Sequence, residues 1–150
     1  MADASGAWSF TPASPLAQGA HTVTAAATDA AGNTSPVSSP RDFVVDSVAP
    51  APPEVLTPTA GATVSPSELS FSGRTEANST VIVMVDGLVV GTTRADASSA
   101  WSLNSLYQLA QGQHTVSATA RDGAGNVSEA SAPSSFTVME PPEEEPGPQG

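Results

Sequence analysis

A chain of 150 residues has room for one large domain, or for a small domain with part of another. It has no cysteine, so neither disulfides nor a thiolate zinc site can hold it together, and stability has to come from a packed core. Fifteen acids against four arginines (Arg41, Arg74, Arg94 and Arg121) and no lysine give a net charge of −11, which lacks the basic stripe that a phosphate backbone requires and speaks against nucleic acid as a partner.

Only 13% of the residues are charged, and Ala, Ser, Thr, Val, Gly and Pro dominate, the mixture expected of short strands joined by tight turns. The residues after Met1 have neither a basic start nor an apolar stretch, so they do not read as a secretion signal; the export signal of a surface protein is expected outside this sequence. No apolar run is long enough to span a bilayer: Val81 to Val85 and Leu88 to Val90 are separated by a turn.

A repeat orders the chain. Shifting the sequence by 93 positions lays Ala2 to Asp46 over Ala95 to Met139 without a gap, and about 25 of the 45 aligned positions are identical. Trp8 meets Trp101, Leu16-Ala17-Gln18-Gly19 meets Leu109-Ala110-Gln111-Gly112, and His21-Thr22-Val23 meets His114-Thr115-Val116. Asp29, Ala31, Gly32, Asn33 and Ser35 recur as Asp122, Ala124, Gly125, Asn126 and Ser128. Residues 51–94 have no counterpart before Ala2. Residues 1–48 are therefore expected to be the C-terminal half of a truncated repeat, residues 49–139 one complete repeat, and residues 140–150 an acidic, Pro-rich disordered tail that cannot bury enough apolar surface to offset its ordering entropy.

Within the complete repeat, Val55 and Leu56 mark a first strand, and Leu69, Phe71 and Gly73 a second, with apolar residues at alternate places. Val81 to Val85, Asp86-Gly87, then Leu88 to Thr93 is the strongest local signal: two β-rich runs across the dipeptide that type I′ hairpin turns prefer. Trp101 to Leu103 predicts a fifth strand. His114 to Ala120 predicts a sixth, with Val116, Ala118 and Ala120 on one face, and Phe136 and Val138 lie on a seventh. Seven short strands in about 90 residues, with no helical periodicity, predict an all-β fold of immunoglobulin-like or fibronectin III-like β-sandwich repeats.

The phrases ADASGAWSFTPASPLAQGAHTVTAAATDAAGNTSP and VVDSVAPAPPEV resemble the bacterial Ig-like repeats of very large surface adhesins and biofilm proteins, and especially those of long myxobacterial exported proteins, some linked to gliding motility. The resemblance covers about residues 2–139 and is specific for the repeat rather than for its parent. It implies a bacterial cell-surface or secreted stalk: sandwiches in series that project a binding tip, often stiffened by Ca²⁺ at domain junctions. The partners it implies are neighbouring repeats of the same chain, and host or surface glycans or proteins met through parts outside this sequence.

Asp29 to Asn33 and Asp122 to Asn126 read as turns, because Asp bonds to its own backbone and Gly or Asn accepts positive φ; the same carboxylates are also candidate Ca²⁺ ligands. They are not EF-hands, since the alternating acids and the closing Glu are missing. Asp46, opening the linker to Pro50, is the third candidate metal ligand, on the strength of the resemblance; Met139 stands at the aligned place. Pro50, Pro52 and Pro53 restrict φ and favour an extended linker. His21 and His114 read as structural, because neither has a second histidine with which to share a zinc. Trp8 and Trp101 read as core residues packed between sheets, with sugar stacking as the competing role. No nucleophile elbow, cysteine or paired-carboxylate cleft is recognisable, so no enzyme is expected. The competing function is a carbohydrate-binding or accessory module of a secreted enzyme, which would present a row of exposed aromatics.

Overall fold

The computed structural model describes residues 1–105 and 107–142, which fall into two compact units divided between Ser47 and Val48. The expected tail from residue 143 onward lies outside the described residues.

The first unit contains β1 (Gly19–Val23) and β2 (Arg41–Val45), paired antiparallel as a two-stranded sheet in which Gly19 faces Val45 and Val23 faces Arg41. The second unit contains β3 (Glu54–Thr57), β4 (Thr63–Val64), β5 (Ser70–Arg74), β6 (Thr80–Val85), β7 (Leu88–Arg94), β8 (Ala100–Asn104), β9 (Gly112–Arg121) and β10 (Ser134–Val138). One of its sheets runs β4-β10-β9-β6-β7 and the other β3-β5-β8. Consecutive strands change sheet after β3, β4, β5, β7 and β8, which makes this a two-layer sandwich.

The predicted hairpin is present. β6 and β7 pair across Asp86 and Gly87, both at positive φ (51° and 81°), the conformation that a two-residue type I′ turn requires and that Asp-Gly supplies at low cost. Two features were not predicted: β4, only two residues long, which pairs parallel with β10, and a single 3₁₀ turn at Pro66–Glu68.

Alternation along the strands builds the core. Val81, Val83 and Val85 of β6 are buried, as are Val116, Ala118 and Ala120 of β9, so the two strands present one continuous apolar face. Phe71 of β5 comes from the opposite sheet to meet Phe136 of β10 edge-on, with ring centroids 6.0 Å apart. Each such ring contributes about 1.5–3 kcal/mol through removal from water. Trp101 on β8 is 3% exposed and belongs to the same cluster. It lies over Gly73, where a Cβ would stand 2.7 Å from the indole Cζ2 and would collide with the carbonyl oxygen of Glu54. Gly73 is therefore glycine because the strand β3 and the indole both come too close for a side chain.

Trp8 differs from Trp101, as expected of a side chain with one face uncovered in a partial repeat. It is 61% exposed, and Phe10, Val23 and Phe43 are exposed with it. Trp101 lies on a strand paired with β5, with Gly73 opposite it, whereas no described strand among residues 1–47 other than β1 and β2 is present to cover Trp8.

Two substitutions check this asymmetry. Trp101→Ala is expected to cost about 3–5 kcal/mol in urea denaturation, as for a large core side chain, whereas Trp8→Ala should leave the stability of the second unit unchanged. Gly73→Ala should destabilise that unit too, although it removes no atom.

Candidate functional site

Each repeat joins its last two strands through a turn built around one aspartate. In the first unit Asp29 Oδ1 accepts the backbone N–H groups of Ala31 (3.0 Å) and Asn33 (2.8 Å), and Oδ2 accepts Asn33 Nδ2 (3.0 Å). In the second, Asp122 accepts from Ala124 (2.9 Å), Asn126 N (2.9 Å) and Asn126 Nδ2 (2.9 Å). The sequence folds this way because a short carboxylate reaches donors two and four residues on, while Gly32 and Gly125 take φ of 88° and 94°. These donors favour the charged carboxylate: the Asn33 amide beside Asp29 and the Asn126 amide beside Asp122 hold both groups below the ordinary aspartate value.

Sequence reasoning missed a second pair of the same kind. Asp3 gathers the N–H groups of Ser5 and Ala7, both at 2.9 Å, and Asp96 those of Ser98 (2.8 Å) and Ala100 (3.0 Å). The signal was present in the repeated Ala-Asp-Ala-Ser at residues 2–5 and 95–98.

Asp46 accepts from Gln18 Nε2 at 3.2 Å, and the same Gln18 side chain accepts from Ser47 N at 2.6 Å, tying the end of the first unit back to its own loop. Asp29 and Asp46 lie in the first unit and Asp122 in the second. A hard cation takes about 6–8 oxygens. Among the described residues no group of three or more His, Cys, Asp or Glu side chains is gathered as such a donor set, and both carboxylate oxygens of Asp29 and of Asp122 already act as acceptors within their turns.

The two histidines differ in an informative way. Each sends Nε2 to a carbonyl four residues back: His21 to Ala17 at 2.6 Å and His114 to Ala110 at 2.7 Å. Each also lies against the phenylalanine of the paired strand, with centroids 5.6 Å apart for His21 and Phe43 and 5.8 Å for His114 and Phe136. Only His114 has a carboxylate: its Nδ1 is 2.7 Å from Asp86 Oδ2, at the tip of the β6–β7 hairpin. Asp86 Oδ1 accepts Thr115 N at 2.9 Å, so the hairpin turn is clamped to the start of β9. The hydrogen bond to Asp86 raises the His114 pKa above its ordinary value, and the bond from His114 lowers that of Asp86. Both histidines are held by hydrogen bonds within their own units, and the clamp between residues 28 positions apart was not foreseeable.

Two stacked sheets with strands of this order define an immunoglobulin-like sandwich of the fibronectin III-like kind. The chain belongs to the bacterial Ig-like domain family, whose model matches residues 1–47 and 61–138. Among solved structures it is similar to the fibronectin(III)-like modules of CbhA from Clostridium thermocellum, at 18% identity and a TM-score of 0.58, over 90% of this chain and 70% of that one. It is also similar to a tetra-tandem repeat in the extending region of a large adhesion protein, at 28% identity and a TM-score of 0.44, over 81% of this chain and 32% of that one. A third likeness is to the BSP domain of a biofilm associated protein, at 21% identity and a TM-score of 0.46, over 87% of this chain and 20% of that one. No curated protein matches in sequence.

The clamp makes a pH prediction. A raised histidine pKa gives stability that is complete below the ordinary value of 6.5 and lost as pH rises through the folded value. A lowered aspartate pKa gives stability complete above 3.8 and lost as pH falls through the folded value. The clamp therefore supports the second unit most fully between those two pH values. Thermal melts followed across pH should show His114→Gln removing the decline on the alkaline side of that window.

Proposed function

We propose that the chain is part of a stalk: Ig-like repeats in series that serve as spacers in a bacterial surface or secreted protein, with no reaction of their own. The observation that carries this reading is the duplication itself. The same turn and capping bonds recur 93 positions on, and the Pro-rich stretch from Ala49 to Pro53 lies between the two copies. Membership of the bacterial Ig-like family supports it, since the repeat is the unit of the family model. No helix among the described residues is long and apolar enough to cross a membrane. The partners in this reading are adjoining repeats, with any glycan or protein ligand met elsewhere in the parent protein.

A spacer has to bear tension and refold. Single-molecule pulling on the chain is expected to give one dominant, reversible unfolding event with a contour gain of about 25–30 nm, the length of the second unit at roughly 3.4 Å per residue. Tight binding of one oligosaccharide class, lost with Trp8→Ala, would instead favour the accessory-module reading, because Trp8 is the exposed tryptophan.

Ca²⁺ is a separable part of the proposal, resting on Asp29, Asp46 and Asp122 with further oxygens brought in from their loops. A cation at these positions raises the melting temperature in millimolar Ca²⁺ and lowers it again in EDTA. Identical melts in the two buffers would leave Asp29 and Asp122 as turn acceptors alone. Asp122→Ala would then lower the melting temperature equally with and without Ca²⁺.

A further inference from the structure

His114 makes a hydrogen bond from each ring nitrogen, and both partners are oxygens that only accept. Nε2 is 2.7 Å from the carbonyl oxygen of Ala110, and Nδ1 is 2.7 Å from Oδ2 of Asp86. A carbonyl has no proton to give, and the donors around Asp86 keep its carboxylate ionised. Both ring nitrogens therefore carry a proton, which makes the bound form the imidazolium. A neutral imidazole has one N–H and would turn a lone pair toward one of the two oxygens. The ring of Phe136 lies alongside with centroids 5.8 Å apart, a distance at which an aromatic ring also attracts a cation.

The two bonds differ in their support. Asp86 is tied to Thr115 in both directions: its Oδ1 accepts the Thr115 N–H and its own N–H donates to the Thr115 carbonyl, both at 2.9 Å. The hairpin tip thus stays on β9 without the ring. Ala110 has no such reserve. Among the described residues no other hydrogen bond reaches Leu109 or Ala110. Leu109 packs against the core from its margin, in a groove that it shares with Pro66, Leu69 and Val138. The Nε2 bond is the polar tie that keeps this apolar side chain in place.

We propose that His114 is a pH-sensitive latch: as an imidazolium it ties the β6–β7 hairpin, the start of β9 and the Leu109–Ala110 segment together, and on losing a proton it lets go of the Ala110 carbonyl and frees Leu109 from the core. The proton kept is the one on Nδ1, because a hydrogen bond to a carboxylate is about twice as strong as one to a neutral carbonyl. Of the segments packed against the ring, the hairpin brings Asp86, β10 brings no ionisable group, and β9 brings, besides His114 itself, Arg121 at its far end. The loop before β9 brings Tyr107, and Glu68 in the 3₁₀ turn and Glu140 after β10 are the other acids at this end of the sandwich. Asp86 is the charge that acts on the ring. Its hydrogen bond, and after it that of Ala110, raise the His114 pKa above 6.5, so the latch is closed below 6.5 and opens as pH rises through the folded value. The opening is local, since the pairing of β6 with β9 does not involve the ring.

The test is an NMR titration of the whole chain from about pH 5 to pH 9, a range that spans the histidine transition. Two-bond ¹⁵N–¹H spectra of the imidazoles report which ring nitrogens are protonated, and backbone ¹⁵N relaxation reports the order of Leu109 and Ala110. Below pH 6.5 both nitrogens of His114 should be protonated and the segment as well ordered as β9. As the ring titrates, Nε2 should lose its proton, and the order of Leu109 and Ala110 and the contacts of the Leu109 methyl groups with the core should be lost with the same midpoint. Asp86→Asn keeps a residue suited to the positive φ of the turn and should move both midpoints to lower pH together, which a side chain that merely fills space would not do. In His114→Gln the order of the segment should no longer depend on pH. A His114 ring with a single proton below pH 6.5, or order at Leu109 and Ala110 that stays constant through the His114 transition, overturns the proposal. Loss of order spread over β6 and β9 at the same midpoint overturns it too, because the ring would then support the whole sandwich and not one segment.

Discussion

The complete repeat depends on the antiparallel pairing of β6 with β9. That one register, from Thr80 opposite Arg121 to Val85 opposite Val116, aligns two runs of alternating small apolar residues, so that all six inward positions are buried. Phe71 and Trp101 of the opposite sheet then have a continuous surface to pack on. A slip of one residue would turn every valine of β6 to solvent, and the register is therefore strongly specified. The Asp86 clamp fixes the same register from one end, because the hairpin tip bonds both the ring of His114 and the N–H of Thr115.

The back half of the repeat is built differently. Its geometry is held by short polar side chains that bond to nearby backbone: Asp29 and Asp122 fold their turns, and paired serines bracket the alanine strand. These bonds are local in sequence and need no distant partner. They are present both in the unit that has an opposing sheet and in the unit that does not. Apolar burial behaves in the opposite way. Phe136 is 1% exposed and its counterpart Phe43 is 37% exposed, although each has the same histidine beside it. Local hydrogen bonding thus defines the shape of a back half, and the front half determines whether its core is dry.

The residue types follow from this division. Alanines at 118 and 120 let the sheets approach, and the serines at 128 and 131 replace a paired strand as hydrogen-bond partners where β10 has not yet begun. With so few charged side chains, the exposed aspartates act as turn-forming groups, and the donors around them keep them ionised.

Much of the fold was legible because it rests on short-range pattern. The period of 93, the strands at Val81 to Val85 and Val116 to Ala120, the Asp-Gly hairpin and the aspartate turns all follow from alternation and turn chemistry within a few residues. The two-residue strand β4 was not legible, since a pair that short has no period and forms only because β10 offers an edge. Nor was the His114–Asp86 clamp, which joins positions brought together by the β6–β9 pairing. The different fates of Trp8 and Trp101 show the limit most clearly. Their local sequences, Ala-Trp-Ser, are identical, so nothing within a few residues distinguishes them. Burial is a property of what lies on the other side, and for Trp101 that is the backbone of Gly73, which only the tertiary structure brings against the ring.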